Sequence, residues 1–326
     1  MKRRAFITLL GGAAAAWPLA TRAQQPAMPV VGVLGSSSSP AENSLVEGLK
    51  ETGFIDGQNV RIEYRWARGA YDRLPGMADE LINLPVNVLV AFGSAAVPVA
   101  KSASLKVSPA VPVVFSFGGD PVAEGLVASF NRPGGNVTGT TSIGGSLAPK
   151  RLELLGAFIH DRTGVALLIN PDNPFSENER NNTEAASKAI GQRLDVFTAR
   201  NEIEIVRAFA ALKQQHVRAL IISVDNFYYD QIGWMTALSA WHEVPTIGPL
   251  RMFAVAGGLM SYSANIADVA RQAAIYAGRI LKGEKPGDLP VQQPTKFDLV
   301  INLKAGNALG LTIPQSLLAT ADEVIE

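Results

Sequence analysis

A chain of 326 residues, 47% hydrophobic and 18% charged, holds enough apolar mass for two cores of ordinary size and lies far from the disordered class. Its 29 basic and 29 acidic residues cancel, which leaves no electrostatic case for nucleic-acid binding. It contains no cysteine, and this excludes disulfides, thiolate metal sites, a cysteine nucleophile and a lipid-anchored cysteine.

Residues 1–23 read as an export signal peptide. Lys2, Arg3 and Arg4 precede an apolar stretch over 5–20, and Thr21-Arg22-Ala23 offers small residues suited to cleavage after Ala23. The paired arginines before Ala5, Phe6 and Ile7 look like a twin-arginine signal, and Sec export of the same peptide stays open. The apolar stretch, broken by Gly11, Gly12 and Pro18, is short of the roughly 20 residues that a membrane span needs. The expectation is a periplasmic chain with no membrane span in its mature form. Removing the signal takes away four basic residues and no acidic one, so the mature chain sits near −4.

Strands are predicted over 30–35, 60–66, 86–92, 111–117 and 137–141, with amphipathic helical stretches over 41–52, 71–84, 95–106 and 121–130. Most of these strands are short, valine-rich and without polar alternation. That pattern belongs to a sheet covered on both faces, hence to parallel strands with right-handed crossover helices. The stretch 60–66 alternates, as an edge strand does. The pattern then restarts, with strands over 164–170, 194–199, 218–224 and 244–248 and helices over 177–193, 202–216 and 227–242. Val33 and Leu167, Leu89 and Leu220, and Pro112 and Pro245 are 134, 131 and 133 residues apart, a nearly constant offset that argues for two similar units.

The remaining elements are a strand over 257–263, a helix over 266–281 ended by Lys282-Gly283, a strand over 297–301 and short helices over 303–309 and 314–321. After two complete units, these are best placed by a chain that returns to the first and then crosses again. The expected fold class is α/β, with two doubly wound parallel-sheet lobes joined by a multi-crossover hinge. One lobe comprises 24–142 plus about 262–290, the other 143–261 plus about 291–326.

In open parallel sheets ligands bind outside the carboxyl ends of the strands. The exits in the first half are Ser36, Ser37 and Ser38, then Gly93, Ser94 and Ala95, then Phe117 to Asp120. In the second half they are Asn170, Asp172 and Asn173, then Asp225 and Asn226, then Gly248, with Tyr228 and Tyr262 nearby. Small polar residues beside aromatic walls are the usual form of a small-molecule site. Asp120, before Pro121, is either a plain helix cap or a cap that also lines the pocket, and Asp225 has the same two readings. The serine run is either a flexible turn or a set of donors for a ligand carboxylate. Asp225 is a candidate partner for a ligand amine, and Phe117, Tyr228 or Tyr262 for an aromatic ring.

Catalysis finds little support. His160, His216 and His242 fall at or near predicted helix ends, away from the strand exits, and no spacing supports a metal. There is no Gly-x-Ser-x-Gly elbow and no phosphate-binding Gly-x-x-x-x-Gly-Lys-Ser/Thr loop. Residues 134–139, although glycine-rich, precede a strand and so read as a turn at the hinge. No catalytic residue, metal or cofactor is expected.

Asp120-Pro-Val-Ala-Glu-Gly-Leu-Val-Ala-Ser129 and Arg132-Pro-Gly-Gly-Asn-Val-Thr-Gly139 resemble the signature of periplasmic substrate-binding proteins of ABC transporters, in the tryptophan-binding-like family. So do Gly53-Phe-Ile-Asp-Gly-Gln-Asn-Val60, Ile280-Leu-Lys-Gly-Glu-Lys-Pro286, Phe297-Asp-Leu-Val-Ile-Asn302 and Leu309-Gly-Leu-Thr-Ile-Pro314. The resemblance implies the type I periplasmic-binding fold, an amino-acid-like or aromatic ligand held at the strand-exit loops between the lobes, and delivery to a membrane permease driven by a separate ATPase. A periplasmic sensor that signals to a receptor, and an enzyme on the same scaffold, are the alternatives.

Overall fold

The computed structural model describes residues 28–37, 41–158 and 164–326. Residues 1–23, read from the sequence as an export signal, lie outside the described residues, as do Ser38 and His160.

Strands β1 (Val30–Gly35), β2 (Arg61–Trp66), β3 (Val88–Phe92), β4 (Val113–Phe117) and β5 (Val137–Thr141) form an all-parallel sheet in the order β2-β1-β3-β4-β5. Helices α1 (Ala41–Glu51), α2 (Leu74–Ile82) and α3 (Ala96–Ser104) connect them. Strands β6 (Gly164–Ile169), β7 (Leu194–Thr198), β8 (Val217–Ile222), β9 (Thr246–Gly248), β10 (Met260–Ser263), β11 (Asp298–Asn302) and β12 (Glu323–Ile325) form the second sheet, in the order β12-β11-β10-β9-β8-β6-β7. Its strands are parallel except for the antiparallel pair β10–β11. Its helices are α4 (Ala148–Gly156), α5 (Ser176–Ile190), α6 (Glu202–Gln214), α7 (Asn226–Asp230), α8 (Ile232–Trp241) and α9 (Arg251–Val255), followed after β10 by α10 (Ile266–Leu281), then α11 (Leu303–Ala308) and α12 (Gln315–Leu318).

The order β7-β6-β8-β9-β10 repeats that of β2-β1-β3-β4-β5. Val33 and Leu167 stand in the corresponding strands β1 and β6, and Leu89 and Leu220 in β3 and β8, so the constant offset in the sequence is a repeated topology.

Successive residues of each central strand point to opposite faces, and both faces are covered. Leu34, Leu89 and Phe115 pack against Leu81 of α2 and Val97 of α3. Val33, Val90 and Val114 pack against Leu45 of α1 and Ala273 of α10 on the other side. The alternating strand β2 is the sheet edge, as its pattern requires. The approach of α1 to α10 is close enough that a Cβ on Gly48 would collide with the Arg271 carbonyl oxygen and lie 2.7 Å from Ala274 Cβ.

The chain passes between the sheets after β5, after β10, and between Val291, in the first core, and β11. The first and third passages run side by side. Thr141 N–H donates to Gln292 O at 2.9 Å, and Gln292 N–H to Gly139 O at 3.0 Å. Thr140 Oγ1 donates to Val269 O at 2.9 Å and ties this pair to α10.

Some expectations need correction. Residues 121–130 form turns, not a helix. Gly125 at φ +65° takes the left-handed conformation, and the N–H groups of Leu126 and Val127 both fold back onto the Pro121 carbonyl at 2.8 and 3.2 Å. The stretch 71–84 opens with a 3₁₀ turn over Tyr71–Arg73, and 227–242 is divided at Gln231 into α7 and α8. Helices α4 and α9 and strand β12 are additional elements. Residues 134 and 135, at φ +69° and +66°, make the expected turn into β5.

Candidate functional site

The carboxyl ends of β1, β3 and β4 face those of β6 and β8 across a cleft. Two cavities lie in it and share Ser94, Gly118 and Val224. One, of about 60 Å³, has walls from Ser37, Gly93, Phe117, Asn226, Tyr229 and Ile266. The other, of about 30 Å³, is bounded by Asp120, Glu124, Ser146, Phe175, Asn182 and Glu179. Both combine hydroxyls and amides with aromatic rings.

The lobes touch across the cleft. Ser37 Oγ donates to Asp230 Oδ1 at 2.6 Å, and Asn178 Nδ2 donates to Glu124 Oε1 at 2.9 Å. The ring of Phe175 meets Phe117 edge-on at 4.9 Å. Gly93, at φ +91°, leaves room for Asn226, whose side-chain oxygen would overlap a Cβ placed there. These contacts define a closed arrangement with small internal cavities.

Asp225 is the best-satisfied carboxylate of the cleft. It caps α7 by accepting the Tyr228 N–H at 3.2 Å, and it also accepts Asn170 Nδ2 at 3.2 Å, Asn173 Nδ2 at 3.0 Å and the hydroxyl of Tyr71 at 2.8 Å. It is 1% exposed, and burial pushes its carboxyl up to about 6 against the opposing effect of these donors. Burial, then the Asp225 charge, pushes the Tyr71 phenol far above its usual range, so Tyr71 remains a donor.

A buried ion pair stands beside this group. Arg151, on α4, is fully buried and lies 3.6 Å from Glu179 on α5. Its Nε donates to Tyr262 O at 3.1 Å and its Nη1 to Gly144 O at 3.0 Å, while Nη2 has no partner. Glu179 Oε2 accepts the Val224 N–H at 2.9 Å, while Oε1 accepts no hydrogen bond. Burial pushes the Glu179 carboxyl up to about 7, with the Arg151 charge and the Val224 N–H opposing, and burial pushes the Arg151 guanidinium down.

The residues singled out from the sequence separate by position. Ser37, Gly93, Ser94, Phe117 and Asn226 line the cleft, and so does Asp120, whose Oδ1 accepts the Val122 and Ala123 N–H groups at 2.8 and 3.1 Å with no helix following. Asn170, Asn173 and Asp225 form the hydrogen-bonded set behind the lining. Ser36 is buried with an unpartnered hydroxyl, and Ala95 is buried at the start of α3. Asp172 is exposed, and its N–H donates to Asn170 Oδ1 at 3.0 Å. Tyr228 belongs to the lobe core and donates to Ala199 O at 2.7 Å, while its neighbour Tyr229 reaches the cavity. Gly248 packs against Phe253, and Tyr262 lies 6.1 Å from the Phe297 ring; neither lines the cavities.

Tyr71, Glu124, Arg151, Phe175, Glu179 and Tyr229 escaped the sequence reading. Glu179 shares the buried face of α5 with Ser176, Thr183 and Ser187, a polar stripe that periodicity reads as solvated. Arg151 sits on an otherwise ordinary amphipathic helix. His216 and His242 fall at helix ends, away from the cleft, and among the described residues no group of His, Asp or Glu is placed to hold a metal ion.

Comparison with known proteins agrees with this architecture. The chain is 22% identical over 284 residues to the tyrosine-binding protein of Clostridioides difficile, covering 84% of this chain and 78% of that protein. A crystal structure of a conserved domain protein from Vibrio cholerae superposes with a TM-score of 0.82 at 26% identity, covering 91% of this chain and 99% of the other. The structure of an ABC domain in complex with L-Trp from Streptococcus pneumoniae gives a TM-score of 0.79 at 24% identity, with the same coverage. The fold is that of type I periplasmic-binding proteins. A family model described as ABC transporter substrate binding protein matches residues 30–325, and the chain belongs to that family.

Proposed function

We propose that this protein is the exported solute-binding component of an ABC importer. It binds a small amino-acid-like or aromatic ligand between its lobes and presents it, untransformed, to a membrane permease served by a separate ATPase. The observation that carries this reading is the pair of joined cavities at the facing strand ends, with serine hydroxyls and aromatic rings contributed across a cleft that three chain passages span. The tyrosine-binding relative and the L-Trp complex support the ligand class. Closure would shift a pre-existing open–closed equilibrium by the ligand's differential affinity for the two states. No described helix is long and apolar enough to cross a membrane, in keeping with a separate permease.

A thermal-shift screen of residues 24–326 against amino acids, aromatic acids and other small organic solutes tests the reading. Stabilisation by an amino acid or aromatic solute, rising with its concentration, is the expected result. A screen in which none of these solutes stabilises the protein removes the proposal's support.

A further inference from the structure

Helix α8, Ile232–Trp241, contains no charged residue. It lies between α6 and α9 on the face of the second sheet to which Leu168, Leu220 and Ile222 point, and it buries Ile232, Met235 and Leu238 there. A helix buried along one side ordinarily turns a polar side to water. Helix α5, on the other face of the same sheet, does so, with Glu177, Asn178, Asn181 and Lys188 exposed. The outward stripe of α8 is instead Gly233, Trp234, Ala237, Ala240 and Trp241, with Trp234 49% and Trp241 83% exposed. The apolar surface continues onto both neighbours, through Ile203 and Val206 of α6 and Met252 and Val255 of α9.

We infer that two copies of the chain associate through this outer face of the second lobe. They meet antiparallel, about a two-fold axis that lies in the plane of the face and runs perpendicular to α8. The inference stands apart from the ligand reading, since none of the five stripe residues lines the cavities of the cleft.

The stripe is complementary to itself. Its two indoles stand about 10 Å apart along the helix axis. Between them Ala237 and Ala240 form a low floor, and at Gly233 an added Cβ would meet nothing within 4 Å. A second α8 laid against the first in reverse brings Trp234 to Trp241 of the partner subunit twice, once on each side of the axis. The small residues between them let the backbones come close, and tryptophan is the side chain that most often anchors an interface.

Charge selects the reversed orientation. On α6, Glu202 stands at the cleft end and Lys213 at the far end. Both are exposed, and neither forms an ion pair among the described residues. The two-fold axis lays α6 head to tail against its counterpart, so that Glu202 meets Lys213 of the partner subunit. Arg207, midway along α6, lies near the axis, and its long stem lets the guanidinium turn out to the rim. An anionic membrane fits this face less well, because Glu202 would be pressed against headgroups of its own sign. Three helices of about 15–20 Å, set about 10 Å apart, present on the order of 500 Å². That is the size of a functional patch, and short of the roughly 800 Å² a side of a standard interface, so the dimer is weak and reversible.

The test is sedimentation velocity on residues 24–326, which lack the apolar stretch over 5–20. The wild type is expected to pass from one chain to two with a dissociation constant on the order of 10 micromolar. Ala237→Glu places a charge on the floor of the groove at an exposed helical position, and is expected to weaken association at least about 30-fold. Its melting at low concentration and its ligand affinity are expected to match the wild type, which separates this inference from the ligand reading. Trp241→Ala is expected to weaken association about tenfold. Glu202→Lys is expected to weaken it several-fold, and Glu202→Lys/Lys213→Glu to restore it, an outcome that only the head-to-tail pairing gives. A wild type that stays monomeric up to about 300 micromolar overturns the inference. If that monomer floats with phosphatidylglycerol vesicles and Ala237→Glu does not, the face is a membrane surface instead. A dimer that Ala237→Glu leaves intact, or that the double charge reversal fails to restore, overturns the arrangement.

Discussion

The phenolic oxygen of Tyr71 joins the two lobes at one atom: it donates to Asp225 Oδ2 at 2.8 Å and accepts the Phe227 N–H at 3.1 Å. Tyr71 also packs against the hydrophobic cores of both lobes. The closed arrangement thus depends on a hydroxyl whose loss leaves a buried carboxylate one donor short. A hydrogen bond to a charged group is worth about 1.5–3 kcal/mol, which corresponds to a tenfold or greater shift in an equilibrium. In Tyr71→Phe the ligand-free protein is expected to populate open forms, seen as a larger radius of gyration in small-angle X-ray scattering, and to bind ligand about tenfold more weakly.

Asp225 sets a pH dependence with a definite sign. Its carboxyl titrates near 6 in the folded protein, above its ordinary value of 3.8, so between these values the folded state holds the proton more tightly than the unfolded chain. Its contribution to stability is therefore full below pH 3.8 and is lost as pH rises through about 6. The groups facing it are Tyr71, Asn170, Asn173 and the Tyr228 N–H, with Glu179 as the neighbouring acid. The stability of wild type minus that of Asp225→Asn, measured by urea titration, is expected to fall by about 2–3 kcal/mol from pH 4 to pH 7. A difference that is flat or rises with pH contradicts this assignment.

Phe175 closes the cleft from the second lobe by packing against the core of the first. An edge-on aromatic pair is worth about 0.5–1.5 kcal/mol beyond its buried area. Phe175→Ala is expected to weaken ligand binding several-fold, with the loss in the dissociation rate, while leaving the melting of the ligand-free protein within a few degrees of wild type. Stopped-flow release of ligand measures the first effect and calorimetry the second.

Two glycines on helices of the first lobe should respond to alanine with opposite signs. Alanine is favoured over glycine in a helix by about 1 kcal/mol, and this acts alone at Gly76 of α2, where an added Cβ meets nothing within 4 Å. At Gly48 the same gain is opposed by backbone overlap with Arg271 and by the crowding of Ala274. Forcing α1 from α10 costs about 1–3 kcal/mol, which exceeds the propensity gain. Denaturant unfolding is expected to show Gly76→Ala at or above wild-type stability and Gly48→Ala below it.

The architecture was legible because its signal is written in uninterrupted apolar runs. Val30–Gly35 can be buried on both faces only in a parallel sheet with helices above and below, and the alternation after Val60 marks the edge. The helix Ile266–Leu281 was equally plain, since its apolar stripe is continuous and Gly283 follows it. The cleft was legible in part, because strand exits can be listed without knowing which side chains turn inward. Tyr228 and Tyr229 show the limit: one enters the core and its neighbour enters the cavity, a distinction set by how α7 lies on its sheet. Arg151 and Glu179 were illegible for another reason. Each looks like a surface charge until the fold brings the two together in the interior.

The three passages between the lobes also restrict how the halves can move. Because Thr141 and Gln292 are laced by backbone hydrogen bonds and Thr140 is anchored to α10, one half cannot slide past the other without breaking this lacing. What remains soft is a swing about a single line through the bundle of passages. Distance labels at separate points on the rims are then expected to change in fixed proportion as the jaws close. A docking protein therefore needs only one span on the outer face to register whether the mouth is occupied.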